Sequence, residues 1–245
     1  ERGNALKEMQ RLDEALASFA AAIRLFPGYA EAHNNTGIAL KEAERFEEAL
    51  RSYDQAIRLR PSYAEAHGNR GNVLKELGRL SEAMASYDQA IRLKPDYAEA
   101  YSNRGNALTQ LKLLDDALAS HDRALALRPA YAEAFNNRAN VLKELGRLEE
   151  ALASYDRAIA LRPDYAEAYS NRGNALKEMK RVDEAMASHA KALSLQPDYA
   201  EAYNNIGNLL KDIGQVDEAI AHYEEAARLR PSFVMARYNK SLLAL

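Results

Sequence analysis

Apolar residues recur along this chain at helical spacing, broken by short polar interruptions. Within residues 166–199, Ala168, Tyr169, Ala175, Leu176 and Met179 fall on one side of a 3.6-residue period. A break follows at Lys180–Arg181. A second stripe then runs through Val182, Ala185, Met186, His189, Ala192, Leu193 and Leu195 before Pro197 stops it. Glycine fills the break in three places (Gly78, Gly146, Gly214), as a helix terminator does. Acidic pairs such as Glu47–Glu48, Asp115–Asp116 and Asp183–Glu184 open the second helix, where its positive dipole end favours them. The pattern predicts a pair of helices joined by a tight turn.

That pair is repeated. All seven prolines (Pro27, Pro61, Pro95, Pro129, Pro163, Pro197 and Pro231) stand 34 residues apart, and a strict period of this size means a stacked array. Six full repeats are expected, at 30–63, 64–97, 98–131, 132–165, 166–199 and 200–233. A partial repeat precedes them (1–29) and another follows (234–245), so the chain is expected to form a single array over 1–245 and reads as a fragment of a longer one. Small residues recur where close packing needs them, with Ala15, Ala49, Ala83, Ala117, Ala151, Ala185 and Ala219 in one place. Gly3, Gly37, Gly71, Gly105, Gly173 and Gly207 sit inside the first helix, with Ala139 once in their stead. A mid-helix glycine costs about 1 kcal/mol relative to alanine, so its recurrence predicts a neighbour that leaves no room for a side chain.

Composition narrows the function. With 33 basic and 36 acidic residues the net charge is −3, which argues against a nucleic-acid partner, for which a basic stripe is expected. Cysteine is absent, so thiolate chemistry and disulfides are excluded. No apolar run approaches the length of a membrane span, and a cytoplasmic location is the expectation. No glycine-rich phosphate loop, nucleophile elbow or His-Glu-x-x-His occurs. The five histidines (His33, His67, His121, His189, His222) are scattered, and four fall at aromatic core places of the repeat, so packing explains them better than metal ligation. Neither catalysis, a metal nor a cofactor is expected.

The chain reads Tyr169-x-x-Arg172-Gly173-x-x-Leu176, then Ala185-x-x-x-His189, then Pro197, at 34-residue spacing. This resembles the tetratricopeptide (TPR) repeat along essentially the whole length. The resemblance implies an all-α fold, an alpha-alpha superhelix of stacked antiparallel helix pairs, with first helices lining a concave groove. One departure is Arg70, Arg104, Arg138 and Arg172 before the glycine, where leucine is usual. Their stems are expected to pack while their heads stay in solvent.

Asparagine, a poor helix former, nevertheless recurs inside the first helix. One row is Asn35, Asn69, Asn103, Asn137, Asn171, Asn205 and Asn239. A second is Asn4, Asn72, Asn106, Asn140, Asn174 and Asn208, broken only by Ile38. On a helical wheel Glu167, Ser170, Asn171, Asn174, Lys177 and Glu178 oppose the apolar stripe. Both rows are therefore expected on the groove wall, where a side-chain amide offers an acceptor and a donor together to an extended peptide backbone. Similar asparagine ladders line the TPR superhelix of O-GlcNAc transferases, which this chain resembles, and there they bind the backbone of protein substrates. A structural role is the alternative, the amides bonding the helix of the next repeat. A carboxylate clamp of the chaperone-binding kind is not expected, because its places carry Glu99, Glu133, Glu167 and small residues such as Gly68, Ser102 and Ser170. Three functions follow: a non-catalytic module that binds extended protein or peptide segments, the substrate-recruiting arm of an O-GlcNAc-transferase-like glycosyltransferase, or a scaffold that self-associates through its repeat ends.

Overall fold

Each second helix buries one ring, from Phe19 on the first to Tyr223 on the last, and that ring sets the packing. The computed structural model describes residues 2–9 and 11–243. It falls into two compact units, Glu1–Arg128 and Pro129–Leu245. The first holds α1 (Arg2–Glu8), α2 (Leu12–Leu25), α3 (Ala30–Glu42), α4 (Phe46–Leu59), α5 (Ala64–Glu76), α6 (Leu80–Leu93), α7 (Ala98–Gln110) and α8 (Leu114–Leu127). The second holds α9 (Ala132–Glu144), α10 (Leu148–Leu161), α11 (Ala166–Glu178), α12 (Val182–Leu195), α13 (Ala200–Asp212), α14 (Val216–Leu229) and α15 (Val234–Leu243). Among the described residues every element is a helix.

Within both units the odd-numbered helix of a repeat packs most extensively on the even-numbered helix that follows it. The even-numbered helix then meets the first helix of the next repeat, as α4 meets α5 and α12 meets α13. A smaller contact joins successive first helices, α3 to α5 and α11 to α13 among them. A single pair could not cover its own apolar stripe, and stacking covers it.

The ring explains the glycine. Tyr53, Tyr87, His121, Tyr155, His189 and Tyr223 are fully buried, worth about 2–3 kcal/mol for a tyrosine-sized ring. Each lies across the residue sixteen positions earlier. A Cβ added to Gly71 would stand 2.6 Å from the Tyr87 ring, and one added to Gly207 2.6 Å from the Tyr223 ring. Glycine thus lets the ring sit on the helix backbone.

The turn inside each repeat is also uniform. Gly78, Gly146 and Gly214 have φ of +71°, +73° and +81°, the left-handed conformation that glycine adopts without penalty. Arg79 N–H then reaches back to the Leu74 carbonyl at 2.8 Å, closing the end of α5. Glu44, Lys112 and Lys180 hold the same conformation at φ of 57–62°, so the turn is imposed by the surrounding repeat even where no glycine supplies it.

Candidate functional site

The two asparagine rows lie on the first helices, half-buried, and they are bonded differently. In the first row most amides reach the preceding repeat. Asn69 Nδ2 donates to Asn34 Oδ1 at 3.1 Å, and Asn171 Nδ2 to Asn136 Oδ1 at 3.1 Å. Asn239 Nδ2 donates to Asn204 Oδ1 at 3.1 Å, and Asn205 Nδ2 reaches the Ser170 hydroxyl at 3.5 Å. Asn35 Oδ1 accepts a longer bond from Asn34 at 3.4 Å. Asn103 follows Gly68, which has no side chain to receive it, and makes no hydrogen bond; Asn137 makes none either.

The second row faces the buried rings. Tyr87, Tyr155 and Tyr223 donate their hydroxyls to the Oδ1 atoms of Asn72, Asn140 and Asn208, at 2.9, 2.6 and 2.9 Å. Asn208 Oδ1 accepts a second bond from Asn239 at 3.2 Å. His121 and His189 stand where tyrosine would reach Asn106 and Asn174, and both of those amides lack a partner. Ile38 breaks the row, and the Tyr53 hydroxyl opposite it is buried with no acceptor. The Asn4 side chain lies outside the described residues.

This pairing makes a stability prediction. Tyr155→Phe removes a hydrogen bond and strands a half-buried amide oxygen, so it is expected to cost about 1 kcal/mol. Tyr53→Phe removes a hydroxyl that has no partner and is expected to be neutral or stabilising. Urea denaturation of the two variants side by side checks the sign of the difference.

Two expectations about the helix face are corrected. Ser170, which the helical wheel places on the open side, is buried, as are Gly68 and Ser102 at the equivalent place of other repeats. Their place is the contact between successive first helices: a Cβ on Gly68 would meet the Tyr97 ring at 3.2 Å. Only small or amide side chains fit there. The arginine heads are likewise not free in solvent: about a quarter of each side chain is exposed, but the guanidinium is bonded to two other helices. Arg70 bonds Asp54 Oδ1 and Ser86 Oγ, both at 2.7 Å, so one guanidinium bridges α4, α5 and α6. Arg104 does the same with Asp88 and Ser120, and Arg172 with Asp156 and Ser188. The planar fork supplies two directed donors, which a lysine could not.

A third series closes each repeat. The basic residue just past the second helix returns to a glutamate at the start of the first: Arg60 to Glu31, Lys94 to Glu65, Arg128 to Glu99, Arg162 to Glu133 and Arg230 to Glu201. The bond to Arg60 holds the Glu31 carboxyl below the usual range, and the bond to Lys94 does the same for Glu65. In the remaining repeat Gln196 occupies the basic place. Glu167 instead accepts long bonds from Asn136 (3.3 Å) and Asn171 (3.5 Å), both on Oε1.

Among the described residues no cluster of three or more metal-ligating side chains occurs, and no helix is long and apolar enough to cross a membrane. His189 is enclosed and its Nε2 has no partner, while His33 and His67 turn Nε2 to the carbonyls of Pro27 and Pro61 at 3.4 and 3.1 Å. These are packing positions.

An all-helical stack of 34-residue pairs with a small residue under each ring defines a helical-repeat protein of the interaction-module class. The chain belongs to the tetratricopeptide repeat family. TPR repeat matches span residues 39–78, 71–112, 105–146 and 139–180, and further tetratricopeptide repeat matches cover 164–232 and 1–29. Among solved structures, the fold is similar to one in the APC/C hetero-tetramer Cut9–Hcn1 (TM-score 0.85, 19% identity, 99% of this chain and 48% of that one). It is also similar to a tetratricopeptide repeat protein from Parabacteroides merdae (TM-score 0.79, 21% identity, 100% and 97%). A third is YrrB, described as a TPR protein with an unusual peptide-binding site (TM-score 0.58, 25% identity, 77% and 97%). The chain spans about half the length of the first of these. Among curated proteins none matches it significantly in sequence.

Proposed function

We propose that this TPR chain is a non-catalytic interaction module whose first-row asparagines hold extended peptide segments by their backbone. The observation that carries this reading is the state of those amides. An asparagine side chain has two N–H donors and an oxygen with two lone pairs. The inter-repeat bonds of Asn69 and Asn205 each take one N–H and leave the oxygen and the other N–H, while Asn171, whose second N–H reaches Glu167, keeps its oxygen. Such a bond fixes the plane of the amide, so the groups that remain are presented in one orientation and little side-chain entropy is lost on binding. The second row contributes less where tyrosine already occupies the oxygen. The solved likeness to YrrB, itself described as having a peptide-binding site, supports the same class of ligand.

Asn103→Ala tests the reading cleanly, because that amide supports nothing in the fold. Removing it is expected to raise stability by a few tenths of a kcal/mol through helix propensity and to weaken capture of displayed random peptides. Asn137→Ala is expected to behave likewise. Unchanged capture together with a marked fall in melting temperature would assign the row to the fold alone.

A further inference from the structure

One helix departs from the closed pattern of the others in two respects at once. In five repeats the glutamate that opens the first helix is neutralised by a basic residue 29 positions later. On α11 that place holds Gln196, and Glu167 forms no ion pair among the described residues, its two bonds both falling on Oε1. In the tyrosine repeats with a second-row asparagine, that amide is capped by the ring hydroxyl. On α11 the ring is His189, and Asn174 keeps both its oxygen and its nitrogen. The two departures have separate causes in sequence, yet both release groups on the same face of the same helix.

We infer that α11 is the anchor of the second unit, taking a lysine or arginine side chain of the bound segment at Glu167 and its peptide backbone at Asn171 and Asn174. This rests on the peptide-binding reading above and adds the chemistry of the partner to it. Glu167 and Asn174 are seven residues apart, about 10 Å along a helix, which about three residues of extended chain span. A basic group is favoured because the neighbouring cations are paired with other carboxylates. Arg162 is held by Glu133, Arg172 by Asp156 and Lys177 by Asp212. The long bonds from Asn136 and Asn171 aim the carboxylate without neutralising it, and they tie it to the first asparagine row.

The test is selection of a displayed library of random short peptides on the intact chain, on Glu167→Gln and on Gln196→Arg. The wild-type chain is expected to enrich peptides carrying lysine or arginine at a fixed register, and both variants to lose that preference while still enriching peptides. For one selected peptide, either substitution is expected to weaken binding about fivefold, as an exposed ion pair supports, and added salt to abolish the difference. Gln196→Arg rebuilds the pair found in the other repeats, so its loss of preference would not reflect unfolding. Enrichment of peptides without a basic preference, or a preference that survives in both variants, would overturn the assignment to Glu167 and leave the groove reading intact. No enrichment of any peptide by the wild-type chain would overturn both.

Discussion

Gly71→Val is expected to destabilise the first unit by about 3 kcal/mol, the upper range for forcing extra volume into a packed core. The Cβ alone would lie 2.6 Å from a Tyr87 ring carbon, and valine adds two methyl groups in a helix that allows it essentially one rotamer. The ring has little room to retreat. It is fully buried with Leu50, Val73, Leu74 and Ala83 in its core cluster, and its hydroxyl is held by Asn72. Gly71→Ala separates the steric term from propensity. Alanine gains about 1 kcal/mol as a helix former and needs a smaller shift of the ring than valine does, and alanine already stands at the equivalent place, Ala139, sixteen residues before the buried Tyr155. Alanine is therefore expected within about 1 kcal/mol of wild type. Urea midpoints for the pair, read in the same buffer, check the contrast. Equal values for alanine and valine would mean that the ring is not confined.

The helices, their 34-residue period and the glycine under the ring were all legible in the sequence, because each depends on residues close in the chain or repeated in phase. The expectation for Arg70 failed because a helical wheel represents one helix alone. The acceptors of that head, Asp54 and Ser86, lie on two other helices, sixteen positions to either side. A signal for it does exist in the chain. Where arginine gives way to Ile206, the aspartate place becomes Ala190 and the serine place His222, so three residues change together. Ser170 was placed on the open face for a similar reason. A TPR first helix has two contact sides, one for the rings and one for its neighbours, and a single apolar stripe reveals only the first. The amides occupy the boundary between these sides. Their types and positions could be read in advance, but not which bonds they had already made. The Tyr–Asn pairs fifteen positions apart, with Ile38 opposite an unpartnered Tyr53 hydroxyl, could have exposed the second row as partly structural.

Acidification from pH 7 to 4.5 is expected to weaken the second unit by about 2–3 kcal/mol through His189 alone. Burial, and to a lesser degree the nearby Lys177 charge, pushes this imidazole down from 6.5 to about 4. Its Nε2 faces the α11 backbone at Gly173 without a partner, so a proton there would be both desolvated and unbonded. An unfolded chain binds that proton as pH falls through about 6.5, whereas the folded chain does not until about 4. The unfolded state therefore holds more protons throughout this window, and stability falls as pH falls. Paired carboxylates such as Glu31 and Glu65 act in the same direction but lower down. Their folded values lie below the ordinary 4.5, so their contribution is present above that value and fades beneath it. His189→Tyr distinguishes the two. Tyrosine fits over glycine elsewhere in the array and bonds the second-row amide, so this variant is expected to match or exceed wild type at pH 7 and to lose the decline between pH 6.5 and 4.5. Urea denaturation of both proteins at several pH values in that interval measures it. Parallel declines for the two proteins would move the acid sensitivity away from this ring.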